Sequence, residues 1–256
     1  YKVGEAFSSR PAPGFFSAQN APTALYNAMV APAIGYAIKG VLWYQGESNT
    51  SNPVAYSKLM PALIDDWRTR WQNKSLPFLY VQLPGFMDVK YLPGESDWAA
   101  TREAQLSALR LPFTAMVVGI DLGEWNDIHP DNKKDVGERL ALTAMNRAYG
   151  DTAIVYSGPL FRSQEISEGK ITLHFSHIGS GLVTRDGDAP GEFAIAGADK
   201  KFIWARTQIK DNKVIAWHES IKEPLYIRYA WADNPDNPNL YNLEGLPASP
   251  FRTDQP

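Results

Sequence analysis

The 256-residue chain contains no cysteine. Disulfides, thiolate nucleophiles, cysteine-ligated zinc and iron–sulfur clusters are therefore excluded together. The absence leaves the compartment open, since many exported proteins also lack cysteine. No apolar run approaches the roughly 20 residues that cross a bilayer, so no membrane span is expected. A surplus of positive charge is missing as well. Lys plus Arg is 25 and Asp plus Glu is 28, a formal net charge of -3. A phosphate-backbone binder normally shows a basic stripe, so nucleic acid is not an expected partner. No HExxH, P-loop or GxGxxG motif occurs, and neither a metal nor a cofactor is expected. The first residues, Tyr1-Lys2-Val3-Gly4, include no initiator Met and no signal-peptide h-region. They read as the start of a processed product or of a piece of something longer.

What is present belongs to an ordinary globular protein. Hydrophobic residues make up 44% and charged residues 21%, and the length suits one large domain or two modest ones. In the first half, strand-like and helix-like segments alternate. Leu25, Met29 and Val30 fall at helical spacing within residues 22–35, with a break expected at Pro32. Gly40 to Tyr44, Pro77 to Leu83 and Phe113 to Ile120 are short apolar runs of the kind buried parallel strands make. Between and after them, residues 53–72, 96–109 and 131–149 read as helices. Ser96 is a plausible N-cap, and Gly150 closes the last helix. This alternation predicts a parallel sheet wrapped by helices over residues 1–150, with any ligand site beyond the carboxyl ends of the strands. From about residue 151 the segments become short and β-rich. Lys170 to Phe175, Glu192 to Ile195, Phe202 to Ala205, Lys213 to Trp217 and Leu225 to Tyr229 predict an antiparallel module over residues 151–256, with an irregular tail from Ala232.

Four histidines can be weighed one by one. His129 lies in Asp121-Leu122-Gly123-Glu124-Trp125-Asn126-Asp127-Ile128-His129-Pro130, a loop that follows an expected strand and precedes an expected helix. An imidazole flanked by carboxylates suits general base work, because one ring nitrogen is fixed while the other takes a proton. The plainer reading is a helix-entry histidine whose acidic neighbours serve as caps. His174 and His177, three apart on a strand, point to opposite faces and are poor joint metal ligands. They and His218 read as structural. The second candidate is Tyr44-Gln45-Gly46-Glu47-Ser48-Asn49, directly after the first strand. Gly46 permits a tight turn, Gln45 can donate to an oxyanion, and Glu47 is a possible orienting acid. The plainer reading here is a polar turn leading into a helix.

Trp43-Tyr44-Gln45-Gly46-Glu47-Ser48-Asn49, taken with Asp127-Ile128-His129-Pro130, resembles the sialate O-acetylesterase family of SGNH-type hydrolases. Leu25-Tyr26-Asn27-Ala28-Met29, Asp66-Trp67-Arg68, Leu76-Pro77-Phe78 and the tail motifs Tyr229-Ala230-Trp231, Asn239-Leu240-Tyr241-Asn242 and Gly245 to Arg252 extend the likeness over nearly the whole chain. The resemblance implies a flavodoxin-like α/β esterase domain with helices on both sheet faces, followed by a β-rich accessory module. It implies a metal-free serine esterase that removes acetyl groups from sialic acid or a related glycan, in a periplasmic, secreted or lysosomal setting. His129 would be the general base, Gln45 and Gly46 the oxyanion hole, Glu47 or Asp127 the triad acid, and Trp125 and Asn49 substrate contacts.

Two departures from the family pattern stand out. The family's Gly-Gln-Ser-Asn-Met nucleophile block is absent, and Ser17 in Phe16-Ser17-Ala18-Gln19-Asn20 is a poor substitute. The nucleophile is therefore expected on a missing N-terminal segment or a partner chain. In addition, Asn126 stands three residues before His129, where related hydrolases usually carry Asp. Asp121 is a weaker third choice of acid. An acetylxylan-type esterase and a non-catalytic carbohydrate-binding fragment are the competing readings.

Overall fold

The structure is a computed structural model and describes residues 21–254. Ser17 lies outside them. Three strands, β1 (Val41–Tyr44), β2 (Phe78–Val81) and β3 (Thr114–Val117), form a parallel sheet in the order β1-β2-β3. Parallel strands need crossovers, and helices α1 (Pro53–Arg70) and α2 (Asp97–Ser107) supply them. Asn52 caps α1 by accepting the Ala55 N–H at 3.0 Å, with Pro53 at the first position, where its missing donor costs nothing. Ser96 caps α2 through the Ala99 N–H at 2.9 Å, as its place in the sequence suggests. A third helix, α3 (Lys133–Arg147), follows β3 and is capped by Asn132.

Alternation along the strands decides which helix covers which face. Val41, Phe78, Tyr80 and Met116 point to one side and pack with Tyr56, Met60 and Ile64 of α1 and Ala104 of α2. Val81 and Val117 point to the other and meet Val136 and Leu140 of α3. The expected helix within 22–35 is present as a π-turn at Tyr26–Val30, and it tightens to a 3-10 turn at Ala31–Ala33, where the break at Pro32 was expected. Pro32 cannot donate to an α-helical ladder, and the segment buries none of its residues.

Ten antiparallel strands follow. One sheet orders as β4-β5-β10-β9, with β4 (Leu160–Ser167), β5 (Lys170–Ser176), β9 (Arg206–Lys210) and β10 (Lys213–Trp217). A second orders as β13-β11-β7-β8, with β7 (Phe193–Ala196), β8 (Ile203–Trp204), β11 (Tyr226–Tyr229) and β13 (Phe251–Arg252). A ribbon pairs β6 (Leu182–Thr184) with β12 (Leu240–Asn242). Ile171, Leu173, Ile195, Val214 and Ile227 form a core between the sheets.

The tail expected to be irregular from Ala232 carries β12 and β13 and is stitched to the parallel half. Arg102 on α2 is fully buried. Its guanidinium donates to the carbonyls of Leu83, Pro84, Ala232 and Asp233 at 2.6–2.8 Å. Burial pushes Arg102 down to about 9, against an opposing pull from Asp233, so the group stays charged at neutral pH. Gln82 at the end of β2 donates to Ser249 at 3.0 Å, and Arg252 pairs with Glu103 at 2.9 Å. These bonds bring residues 232–238 to the carboxyl ends of the parallel strands.

Candidate functional site

Each parallel strand ends in a loop on the same rim. After β1 the chain turns through Gln45 and Gly46 into a 3-10 turn, Glu47–Asn49. Gly46 has φ +151°, and a Cβ there would press on Gln105 Nε2, Leu83 and the Tyr56 hydroxyl. The tightness of this turn is therefore set by glycine. Tyr56 Oη donates to Gln45 O at 3.1 Å and Oε1 at 3.3 Å, and Gln105 Nε2 donates to Gln45 O at 3.2 Å. Gln105 Oε1 in turn accepts the Leu83 N–H at 2.9 Å, tying the turn to the end of β2. The Gln45 amide donates one N–H to Asn49 Oδ1 at 2.7 Å, which leaves the other available at the rim.

Glu47 is half-buried beside two tyrosines. Burial first and the Glu47 charge second push Tyr44 up to about 12. Tyr56 is also raised, mainly by burial, so its hydroxyl remains a donor. Among the described residues no hydrogen bond reaches the Glu47 carboxylate.

The loop after β3 is built differently. Gly123 packs against Gly85 of the loop after β2 so closely that a Cβ would strike the Gly85 carbonyl. Glu124 accepts the Asp131 N–H at 2.8 Å, and Asp127 accepts the His129 N–H at 2.7 Å. Asp127 Oδ1 lies 3.9 Å from His129 Nδ1, and the imidazole is 88% exposed. The structure thus gathers Gln45, Gly46, Glu47 and Asn49 into one turn, and Asp127 and His129 into one loop. Among the described residues it forms no hydrogen bond between the two groups. β2 separates them, so their strand ends stand about 10 Å apart, twice the usual inter-strand spacing. Trp125 is exposed on the same loop as His129.

Asp121 is committed elsewhere. Arg139 grips both of its oxygens at 2.7 Å, and the Tyr241 hydroxyl donates to it at 2.9 Å. Burial alone would raise the Asp121 carboxyl, but the Arg139 bond and charge and the Tyr241 bond outweigh it and hold the group below 3.8. Its contribution to stability is therefore fully present above that ordinary value and is lost as pH falls through the lower folded one. Asp121→Asn should cost about 3–5 kcal/mol at neutral pH by leaving the Arg139 charge buried and unpaired. The variant's urea midpoint should also fall less steeply than the wild type's below pH 3.8. Equal slopes would show that the pair does not govern acid stability.

The other histidines serve local structure. His174 approaches Glu165 at 3.2 Å across β4 and β5, His177 packs edge-on against Tyr156 at 5.6 Å, and the His218 ring meets Ser220 at 2.7 Å in a turn. Sequence reading missed Tyr56 and Gln105, the groups that aim Gln45. Tyr56 belongs to the apolar stripe of α1 and carried no signal beyond core packing.

Comparison with known proteins adds an independent line. The family profile described as carbohydrate esterase, sialic acid-specific acetylesterase, matches residues 14–146. Sialate O-acetylesterase from Homo sapiens is 30% identical over 254 residues, covering 89% of this chain and 48% of that protein. The Mus musculus sialate O-acetylesterase is 29% identical over 251 residues, covering 89% of this chain and 46% of the relative. The chain thus spans about half the length of these relatives. A solved carbohydrate acetylesterase from Xanthomonas citri superposes with a TM-score of 0.85 at 46% identity, over 90% of this chain and 54% of that one.

Proposed function

Because the chain belongs to the sialic acid-specific acetylesterase family of carbohydrate esterases, we propose that it forms the catalytic rim of a carbohydrate O-acetylesterase. The reaction is hydrolysis of an acetyl ester on sialic acid or a related acetylated glycan. The observation that carries this reading is the tethered Gln45 amide, held by Tyr56 with one N–H left over at the carboxyl end of a parallel sheet. Such an arrangement is preorganised for an oxyanion, and that is where acyl-transfer catalysis gains most. In this reading a serine attacks the acetyl carbonyl while His129 takes its proton. Gln45 and the Gly46 backbone hold the tetrahedral oxyanion, and His129 then gives its proton to the departing sugar oxygen, which leaves as the free hydroxyl. Water repeats the cycle on the acetyl-enzyme. No step calls for a metal.

Glu47 is our choice of acid. It is half-buried and its carboxylate accepts no hydrogen bond from the described residues, whereas Asp127 Oδ1 already holds the His129 backbone. The pairing requires the loop carrying His129 to fold inward across the end of β2. The nucleophilic serine is assigned to a segment outside residues 21–254, because the Gly-Gln-Ser-Asn-Met block that the family resemblance implies does not occur within them. The architecture is taken as the SGNH type, with the β-rich half as an accessory module beginning near residue 151. The setting is taken as periplasmic, secreted or lysosomal. No helix among the described residues is long and apolar enough to cross a membrane.

Labelling the whole protein with a serine-reactive fluorophosphonate, followed by peptide mass spectrometry and an assay of acetate release from para-nitrophenyl acetate and from acetylated glycans, tests the reading. We expect one labelled serine outside the described residues and loss of acetate release on labelling. A tag on Ser48 would overturn the assignment of the nucleophile. Sugar binding without any acetate release would favour a non-catalytic carbohydrate-binding role.

A further inference from the structure

Between the loop after β2 and the loop after β3 lies a groove of 760 Å³, lined among others by Asp88, Tyr91, Glu124, Trp125, Asn126 and Asn234. Its volume falls within the roughly 300–1,000 Å³ usual for ligand sites. Resting on the esterase reading above, we infer that this groove binds neutral sugar residues flanking the acetylated one. The substrate is then an O-acetylated oligosaccharide of uncharged sugars rather than a free monosaccharide.

Three observations carry the inference. First, Tyr91 is 75% exposed and Trp125 59% exposed, and both line the groove. A single exposed ring needs no explanation, but two rings from different loops on one groove make a platform on which the apolar face of a sugar can stack. Second, the backbone under each ring is pinned. The Tyr91 carbonyl accepts from Trp204 Nε1 at 2.9 Å, and the Trp125 carbonyl accepts from the Met87 N–H at 3.0 Å. Asn234 also donates to Met87 O at 2.8 Å. The backbone that carries the two rings is thus in place before any ligand arrives, which lowers the ordering cost of binding.

Third, the charge around the rings has one sign. Asp88 and Glu124 contribute carboxylates, and no Lys or Arg is among the described residues that line the groove. Lys90, the nearest basic residue in sequence, turns to Asp233 at 2.7 Å. Carboxylate and amide groups can accept from and donate to sugar hydroxyls but repel a sugar carboxylate. Trp125 and His129 share one loop, so the groove adjoins the segment that carries the imidazole.

The test compares wild type and Tyr91→Ala on three substrates: para-nitrophenyl acetate, an acetylated neutral monosaccharide and an acetylated neutral xylo-oligosaccharide. Loss of one stacking ring should lower kcat/KM on the oligosaccharide about tenfold, mainly through KM. The loss on para-nitrophenyl acetate should be at least five times smaller. Wild type should also prefer the oligosaccharide to the monosaccharide. Equal losses on all three substrates, or no wild-type preference, would overturn the inference. Titration of Trp fluorescence with the deacetylated oligosaccharide is independent of turnover. Saturable quenching that weakens in Tyr91→Ala supports the groove even if no ester is cleaved, and that second result would count against the esterase reading alone. Absence of quenching would count against the groove.

Discussion

Gln45→Ala is expected to lower kcat for acetyl-ester hydrolysis by about 100-fold or more, with a much smaller change in KM. Gln45 follows β1, its carbonyl side is held by Tyr56 and Gln105, and one amide N–H is already given to Asn49. The remaining N–H costs nothing to orient when negative charge develops on the substrate oxygen. An interaction made only in the transition state appears in kcat, whereas one shared with the ground state appears in KM. Tyr56→Phe separates orientation from donation. It removes only the hydroxyl that fixes the Gln45 side chain, so its loss should be partial, nearer tenfold than 100-fold. Steady-state kinetics on para-nitrophenyl acetate would measure both. A Gln45→Ala variant that kept more than a third of wild-type kcat would remove Gln45 from the oxyanion hole. Circular dichroism would check that the variant retains its fold.

How much of this was legible beforehand depends on burial. The parallel strands and the inner strands β5, β7, β10 and β11 announced themselves as short apolar or alternating runs, because both or one of their faces are covered. The strands passed over were chiefly edge strands. β4, with Arg162, Ser163, Gln164 and Glu165, and β9, with Arg206, Gln208 and Lys210, are largely exposed and polar, and each lies at a sheet margin. Their pairing is dictated by the backbone of a neighbour rather than by their own side chains. Likewise β12 and β13 are three and two residues long within a Pro- and Asn-rich tail, too short for a period to register.

The site divides along the same line. Both motif loops could be placed at the carboxyl ends of strands, because strand order alone implies the rim. Contacts over large sequence separation could not be read. Gln105 reaches Gln45 across 60 residues, and Tyr241 reaches Asp121 across 120. Only the folded chain reveals that Asp121, one of the carboxylates near the candidate base in sequence, is consumed by Arg139.

Replacement of His129 carries the second large effect. His129→Ala should lower kcat/KM by about a thousandfold or more, since removing a general base that also activates the nucleophile typically costs at least the upper part of the 100- to 10,000-fold range. Added imidazole should restore part of the rate. The structure sharpens this expectation by showing the ring 88% exposed, with its own backbone N–H locked to Asp127. Among the described residues only the Asp127 carboxylate approaches so open a ring, at 3.9 Å, so catalysis by this route demands a partner that engages it more closely.

Glu47 and Asp127 then make opposite forecasts. If Glu47 is that partner, Glu47→Gln should lower kcat/KM by about 100-fold or more, through loss of a half-buried charge facing the imidazolium. Asp127→Asn should cost under about tenfold, because an amide oxygen can still accept the His129 backbone N–H. The reverse ranking would move the acid to Asp127 and leave Glu47 to set the electrostatics of Tyr44 and Tyr56. A His129→Ala enzyme within tenfold of wild type would remove the histidine, and with it the serine–histidine mechanism, from this rim.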